Sequence, residues 1–286
     1  VKLFPVLALA VLGAACTHGL ILTEHPLAGQ VWDVSAGAFV SADQMLARAA
    51  RARHVILGET HDNTEQHRLQ RRALEALAAR GEPRSLAMEQ FDGEHQSSLE
   101  AARTRGADAE ALADAGHFDR KGWNWPLYRP LVEFALERGW PLVAANLSRA
   151  DARAIVADPS RSGLAPAAGP LRQALERDLV EGHCGRRPEE KRLAGMVEAQ
   201  RARDARLARA LEGEKASVLI TGNGHARKDR GAPLYLMSGD VVSIAMLEVK
   251  EGRNAPAEYL DGFATAASFD YLWFTPRQAR KDPCAN

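Results

Sequence analysis

Neither sign of charge is in excess: 37 Lys+Arg stand against 37 Asp+Glu. With no net charge and no basic tail, the chain has no electrostatic footprint for nucleic acid, and no nucleic-acid partner is expected. Aromatic residues make up only 6%, so a cluster of them is informative. Cysteine is scarce, with Cys16, Cys184 and Cys284 alone. No internal repeat, low-complexity stretch or linker divides the chain. Its 286 residues, 46% of them hydrophobic, are enough for one large domain with a substantial core.

One apolar run stands near the beginning, after Lys2, and ends Leu12-Gly13-Ala14-Ala15-Cys16. It is too short for a spanning helix but suits a signal-peptide core followed by small residues. The cysteine behind it resembles a bacterial lipobox, although Gly13 replaces the usual leucine. The expectation is a signal peptide over 1–15, lipidation at Cys16, a tether over 16–29 and an α/β domain over 30–286. Such a domain would be held at the membrane by its acyl chains. In an oxidising compartment Cys184 and Cys284 are able to pair, closing a loop of about 100 residues that gives about 4–5 kcal/mol in the loop-entropy model. The alternative makes Cys184, beside His183, a metal or haem ligand.

The most informative stretch is Arg53-His54-Val55-Ile56-Leu57-Gly58-Glu59-Thr60-His61-Asp62-Asn63. An apolar strand ends here at a glycine, a carboxylate and an imidazole. If the strand runs through Thr60, Glu59 and His61 share a face. Asp62, with Glu65 three residues on, reads as the N-cap of a helix to about Arg80, stopping at Gly81. Ser41 caps an earlier helix. A second strand, Ser85 to Phe91, carries Glu89, a charge that is costly to bury without a partner. A third, Pro141 to Ala145, ends at Asn146, with Arg149 beyond. A fourth, Ala216 to Ile220, runs into the glycine-rich turn that holds His225, where close backbone approach is allowed. Tyr235 and Val241 to Ala245 read as further strands, and Asp270 to Phe274 as an edge strand.

Between these lie helical patterns. Residues 93–140 read as a helical insertion, with Trp123, Trp125 and Tyr128 forming either a packing plug or one wall of a pocket for a flat ligand. A long amphipathic helix, about Glu189 to Glu212, places Gln200, Arg203 and Asp204 near the strand ends; Arg201, Arg206 and Arg209 read as a solvated flank. The fold class is α/β, a mostly parallel central sheet flanked by helices.

Pooled, Glu59, His61, Glu89 and His225 suit a divalent metal that activates water, although no local motif such as His-Glu-x-x-His is present. In order along the chain, Gly58-Glu59-Thr60-His61-Asp62-Asn63, Met88-Glu89, Ala145-Asn146, His183-Cys184-Gly185, Ala199-Gln200 with Arg203-Asp204, and Gly222-Asn223-Gly224-His225 resemble the ChaN family of haem-binding, iron-regulated bacterial lipoproteins, in the Tiki/erythromycin-esterase superfamily. The resemblance covers about residues 30 to 275. It implies a haem-binding lipoprotein taking part in haem or iron uptake at the bacterial envelope, on the outer membrane or its periplasmic face. Haem-receptor or transport components and a ligand-linked homodimer are the implied partners. A tyrosine as iron ligand and a partner histidine are described for that family, and a tyrosinate suits ferric haem. The chain's tyrosines are Tyr128, Tyr235, Tyr259 and Tyr271, of which Tyr128 in the Trp-rich segment is favoured; His183, Arg203 and His225 complete the expected haem contacts. The alternative is a metal-dependent hydrolase, esterase or peptidase, with Glu59, His61, Glu89 and His225 as ligands or as acid and base.

Overall fold

The structure, a computed structural model, describes residues 19–80, 83–213, 215–260, 268–282 and 284–285. The expected signal peptide, Cys16 and the helix stop at Gly81 lie outside the described residues.

Strand β1 (Leu20–Ile21) lies apart from the main sheet, and β2 (Val31–Asp33) with β3 (Ala38–Val40) forms an antiparallel hairpin. Ser41 then caps α1 (Ala42–Ala49). Its hydroxyl accepts the Gln44 N–H at 3.1 Å while the Gln44 side chain accepts the Ser41 N–H at 2.8 Å, a capping box. Strand β4 (His54–Glu59) is buried at every position, as its unbroken apolar run requires of a strand covered on both faces. Helix α2 (Thr64–Arg80) follows, then β5 (Arg84–Asp92).

The insertion is helical as expected: α3 (Gln96–Thr104), α4 (Ala109–Ala115) and α5 (Trp125–Glu137). Next come β6 (Leu142–Asn146), α6 (Arg149–Ala157), α7 (Gly169–Gly182) and α8 (Glu190–Leu211). Strand β7 (Ala216–Gly222) runs directly into the short α9 (Asn223–Ala226); β8 (Val241–Glu248), β9 (Tyr271–Thr275) and β10 (Arg277–Gln278) close the chain, with β10 pairing on β1.

Among the described residues the main sheet runs β3-β2-β9-β8-β4-β7-β5-β6, parallel from β9 through β6 and antiparallel where β2 joins. Strand β4 sits between β8 and β7, and β7 is inserted between β4 and β5. Residues at the carboxyl ends of β4, β7 and β5 are therefore neighbours although far apart in sequence. One face of the sheet packs Leu57, Phe91, Tyr128, Phe134 and Trp273; the other packs Ile56, Leu207, Leu219 and Phe274.

Several expectations are corrected. Strand β9 lies inside the sheet, between β2 and β8, because the β2–β3 hairpin covers its outer side. Tyr235 is in a 3-10 turn (Ala232–Tyr235), not a strand. The N-cap of α2 is Asn63, whose Oδ1 accepts the Gln66 N–H at 3.1 Å; Asp62 is drawn away by Arg280, 2.7 Å distant. Arg201 is buried, donating to Glu198 at 2.6 Å, the Ala165 carbonyl at 2.9 Å and the Tyr235 hydroxyl at 3.2 Å, because the face of α8 expected to be solvated is covered by the segments carrying Ala165 and Tyr235.

Candidate functional site

Glu59 ends β4 and is only 2% exposed. Strand geometry does not carry on to His61, since β4 stops at Glu59, but the following turn folds back and His61 Nδ1–H donates to Glu59 Oε1 at 2.9 Å. The Tyr128 hydroxyl donates to the same oxygen at 2.6 Å, and Gln70 Nε2 to Oε2 at 2.6 Å. His67 donates its Nε2–H to the His61 carbonyl at 3.0 Å, which turns Nδ1 toward Glu59 Oε2, 3.6 Å away. Burial is the largest influence on the Glu59 pKa and pushes it up, but the charge of His67 and the bonds from His61 and Tyr128 outweigh it, so Glu59 stays below the ordinary range.

Glu89 is the second centre. Its Oε2 accepts the Thr221 hydroxyl at 2.6 Å and the Gly222 N–H at 2.9 Å, and its Oε1 faces His225 Nε2 at 3.6 Å. His225 in turn donates Nδ1–H to Asp204 Oδ1 on α8, 2.6 Å away. Burial again opposes ionisation, yet the charges of His225 and His61 and these two donors lower the Glu89 pKa to about 2. The His225 pKa is raised: burial opposes the cation, and Asp204 and Glu89 overcome it. His61 is likewise raised, with burial opposed by its bond to Glu59.

Two glycines make this convergence sterically feasible. A Cβ at Gly222 would stand 3.1 Å from His61 Nε2, and one at Gly58 would meet Asn223 Oδ1 at 2.5 Å. Asn223 fastens the β7–α9 junction by donating to the Met246 carbonyl at 2.7 Å.

The cluster thus unites Glu59, His61, Glu89 and His225, and recruits Tyr128 and Asp204. Both Glu59 oxygens and Glu89 Oε2 accept short hydrogen bonds and both imidazoles are held through Nδ1, so that among the described residues the hydrogen bonds leave His61 Nε2, His225 Nε2 and Glu89 Oε1 outside them. Among the described residues no group of three or more His, Cys, Asp or Glu side chains is arranged to hold a metal ion. His67 and Gln70 were missed in the sequence; their signal is polar side chains three residues apart on the buried face of α2.

Tyr128 is wholly buried with its hydroxyl on Glu59, and burial together with the Glu59 charge raises its pKa. The other tyrosines are also engaged: Tyr235 accepts from Arg201, Tyr259 donates to the Arg253 carbonyl at 2.9 Å, and Tyr271 is buried beside Asp33. Arg203, one residue before Asp204, is half-buried, and its Nε is buried with no hydrogen-bond partner.

His183 lies elsewhere, in the turn between α7 and α8, where Cys184 and Cys284 form a disulfide with a Cα–Cα distance of 5.4 Å. Cys184 and Gly185 both have positive φ, 57° and 74°, and Gly185 N–H donates to the Val180 carbonyl at 2.9 Å, ending α7 in the manner of a Schellman turn. A cavity of about 600 Å³ opens here, lined by His183, Arg186, Arg187, Arg192 and the disulfide, with Glu189. His183 Nδ1–H donates to the Leu179 carbonyl at 2.6 Å, which orients the ring and leaves Nε2 outside that bond. Arg187 is tied to Glu176 and Glu190, whereas Arg186 and Arg192 make no ion pair among the described residues. The two arginines were passed over in the sequence because nothing local distinguishes them from a solvated face.

Comparison with known families matches residues 45–236 to the family described as haem-binding uptake, Tiki superfamily, ChaN. Among solved structures, the ChaN of Campylobacter jejuni, described with cofacially bound haem, superposes with a TM-score of 0.70 at 22% identity, covering 85% of this chain and 95% of that one. A mutant erythromycin esterase in its open conformation gives a TM-score of 0.46 at 12% identity, over 85% of this chain and 95% of the other. A Bacillus cereus protein gives 0.46 at 12% identity, over 83% and 92%. No curated protein matches the sequence.

Proposed function

Because this chain belongs to the ChaN haem-binding uptake family of the Tiki superfamily, we propose that it carries haem at the bacterial envelope and holds it in the cavity at the α7–α8 turn. Family membership, over residues 45–236, is the observation that carries the haem reading. The placement is supported by the chemistry of the cavity. Its volume of about 600 Å³ falls within the range of small-molecule sites. His183 presents Nε2 on a ring steadied by a backbone carbonyl, the arrangement by which proteins orient an imidazole toward a metal. Arg186 and Arg192 line the cavity and make no ion pair among the described residues, which suits them to the two propionates of a porphyrin.

Bound there, ferric haem would supply an iron able to take an axial ligand. The chain's residues would supply the imidazole, the cations and the disulfide wall. The Campylobacter jejuni protein is described with haem bound cofacially; a second copy of this chain facing the exposed turn would set two haems face to face, and a ligand-linked homodimer is accordingly part of the proposal. A lipid anchor at Cys16 and delivery to haem-transport components complete it, supported by the leader and by family membership.

The test is a haemin titration of the protein followed by visible spectroscopy and sedimentation. The expected result is a saturable Soret shift with dimerisation, weakened by His183→Ala and unchanged by Tyr128→Phe. Absence of saturable binding would overturn the haem reading. Loss of the iron-ligand band in Tyr128→Phe, with His183→Ala unaffected, would overturn the placement.

A further inference from the structure

We infer that the end of the molecule carrying the β1–β10 ribbon docks on the phospholipid surface that holds the acyl chains of Cys16, with Ile21 and Arg277 set against the headgroups. Docking there rests on the proposed lipid anchor; its own ground is how little chain separates that anchor from the fold. A tether over 16–29 is expected from the sequence, yet from Gly19 onward the chain is built into the structure. The Gly19 carbonyl accepts the Ala279 N–H at 3.0 Å, and Leu20 and Ile21 pair with Gln278 and Arg277. Ala28 N–H then donates to the His25 carbonyl at 2.8 Å and Gly29 N–H to the Phe274 carbonyl at 2.9 Å, and Leu27 between them and the ribbon is buried. The reach left between Cys16 and Gly19 is three residues, about 10–11 Å at full extension.

The ribbon lies at one end of the sheet. Strand β10 starts two residues after β9 stops, so it continues past the carboxyl end of β9. Asn63, beyond the carboxyl end of β4, donates to the Pro276 carbonyl at 2.9 Å and ties the ribbon to that same end. Alternation within the ribbon turns Leu20 and the buried Gln278 toward the molecule, and Ile21 and Arg277 outward. Ile21 is 44% exposed, and Arg277 is exposed and makes no ion pair among the described residues. An apolar side chain beside a cation on a long apolar stem suits the boundary between acyl chains and phosphates.

Exposure alone does not choose this face, because Met237 is 91% exposed. Met237 belongs to the opposite end of the sheet: it comes shortly before β8, and Asp240, also before β8, accepts at 2.9 Å the N–H of Arg53, which precedes β4. The six residues of β4 set the two ends about 20 Å apart, farther than the acylated cysteine can reach. Reach therefore selects the ribbon. Helix α8 runs from the docked end toward the other, with Asp204 at the strand ends and Glu212 bonded to the Met237 N–H, so the α7–α8 turn at its beginning lies on the lipid-facing side. Haem held at that turn is handled close to the membrane.

The test places a single fluorescent label on the lipidated full chain, reconstituted in vesicles of phosphatidylethanolamine and phosphatidylglycerol that carry a headgroup-attached quencher. Ile21→Cys puts the label on the ribbon and Met237→Cys puts it at the opposite end; Cys184 and Cys284 are held in their disulfide and do not take it. Flotation with the vesicles, lost in Cys16→Ala, establishes the anchor. The expected result is then a large loss of fluorescence at position 21 and none at position 237. Flotation with both labels quenched alike, or with neither quenched, would overturn the docked face while leaving the anchor standing. No flotation, or flotation that Cys16→Ala does not diminish, would overturn the anchor and the docking with it. Haemin titration of the same preparation reads the haem assignment separately from both.

Discussion

The strand-end cluster and the α7–α8 turn hold the same kinds of side chain in opposite states. In the cluster, Glu59, Glu89 and Asp204 are buried, and each accepts a short hydrogen bond from a neighbour. At the turn, His183, Arg186 and Arg192 are exposed, and among the described residues the His183 Nε2 and the two guanidinium charges are left unpaired. Buried charges are tolerated only when paired, so the cluster's carboxylates are committed inward, to the fold. The turn's chemistry remains available to a ligand. The richer collection of titratable groups need not be the place where ligand binds, and substitutions in the two regions should fail in different ways.

The largest expected effect belongs to the cluster. Glu59→Ala strips His61, Tyr128 and Gln70 of their acceptor at once. Breaking such a buried network should lower stability by about 3–5 kcal/mol, read from denaturant unfolding. Haemin affinity of the molecules that remain folded should not change. A large loss of affinity without loss of stability would merge the two regions into one site.

Acid should act on the same region. The Glu89 pKa is lowered to about 2 from 4.5, so its contribution is complete above the ordinary value and is lost as pH falls from 4.5 toward 2. The size is about 3 kcal/mol. His225 has the opposite sign: its pKa is raised, so its contribution is complete below 6.5 and is lost as pH rises through the raised value. Stability should therefore fall on both sides of an intermediate optimum, and Glu89→Gln should flatten the acid limb. An acid limb untouched by that substitution would assign it to other groups.

How much of this was legible in the sequence follows the same division. Apolar runs such as Val55-Ile56-Leu57 and Val218-Leu219-Ile220 located strands, because parallel strands buried on both faces leave continuous apolar stretches. The order of the runs with intervening helices gave an α/β sheet, and the carboxylates at strand ends marked where residues converge. What stayed hidden depends on contacts across the fold. Asp62 reads as a cap until Arg280, more than two hundred residues later, claims it. Arg201 reads as solvated until Glu198, Ala165 and Tyr235 enclose it. Tyr128 looks like a ligand because it is flanked by tryptophans, and only the packed structure shows its hydroxyl turned onto Glu59.

A smaller effect tests the packing that joins the cluster's halves. Gly222→Ala would press a methyl group to within 3.1 Å of His61 Nε2. Overpacking of this kind should cost about 1–3 kcal/mol, with haemin binding again unchanged. An alanine accommodated without cost would mean that the His61 ring is free to swing away from Gly222.

The smallest effects belong to the turn. Arg186 and Arg192 are exposed cations, and exposed ion pairs are worth at most about 1 kcal/mol each. Arg186→Ala and Arg192→Ala should therefore each weaken haemin binding by only about two- to fivefold. Because counter-ions screen such contacts over about 8–10 Å, that loss should shrink in high salt. The stability of both variants should stay within about 0.5 kcal/mol of the parent, as for other surface substitutions. The salt dependence carries the discrimination. If the arginines meet propionates, each variant has a weaker salt dependence than the parent and the three affinities draw together as ionic strength rises. If the affinities stay apart at high salt, the arginines act by shaping the cavity rather than by charge, and the propionates must find their partners elsewhere.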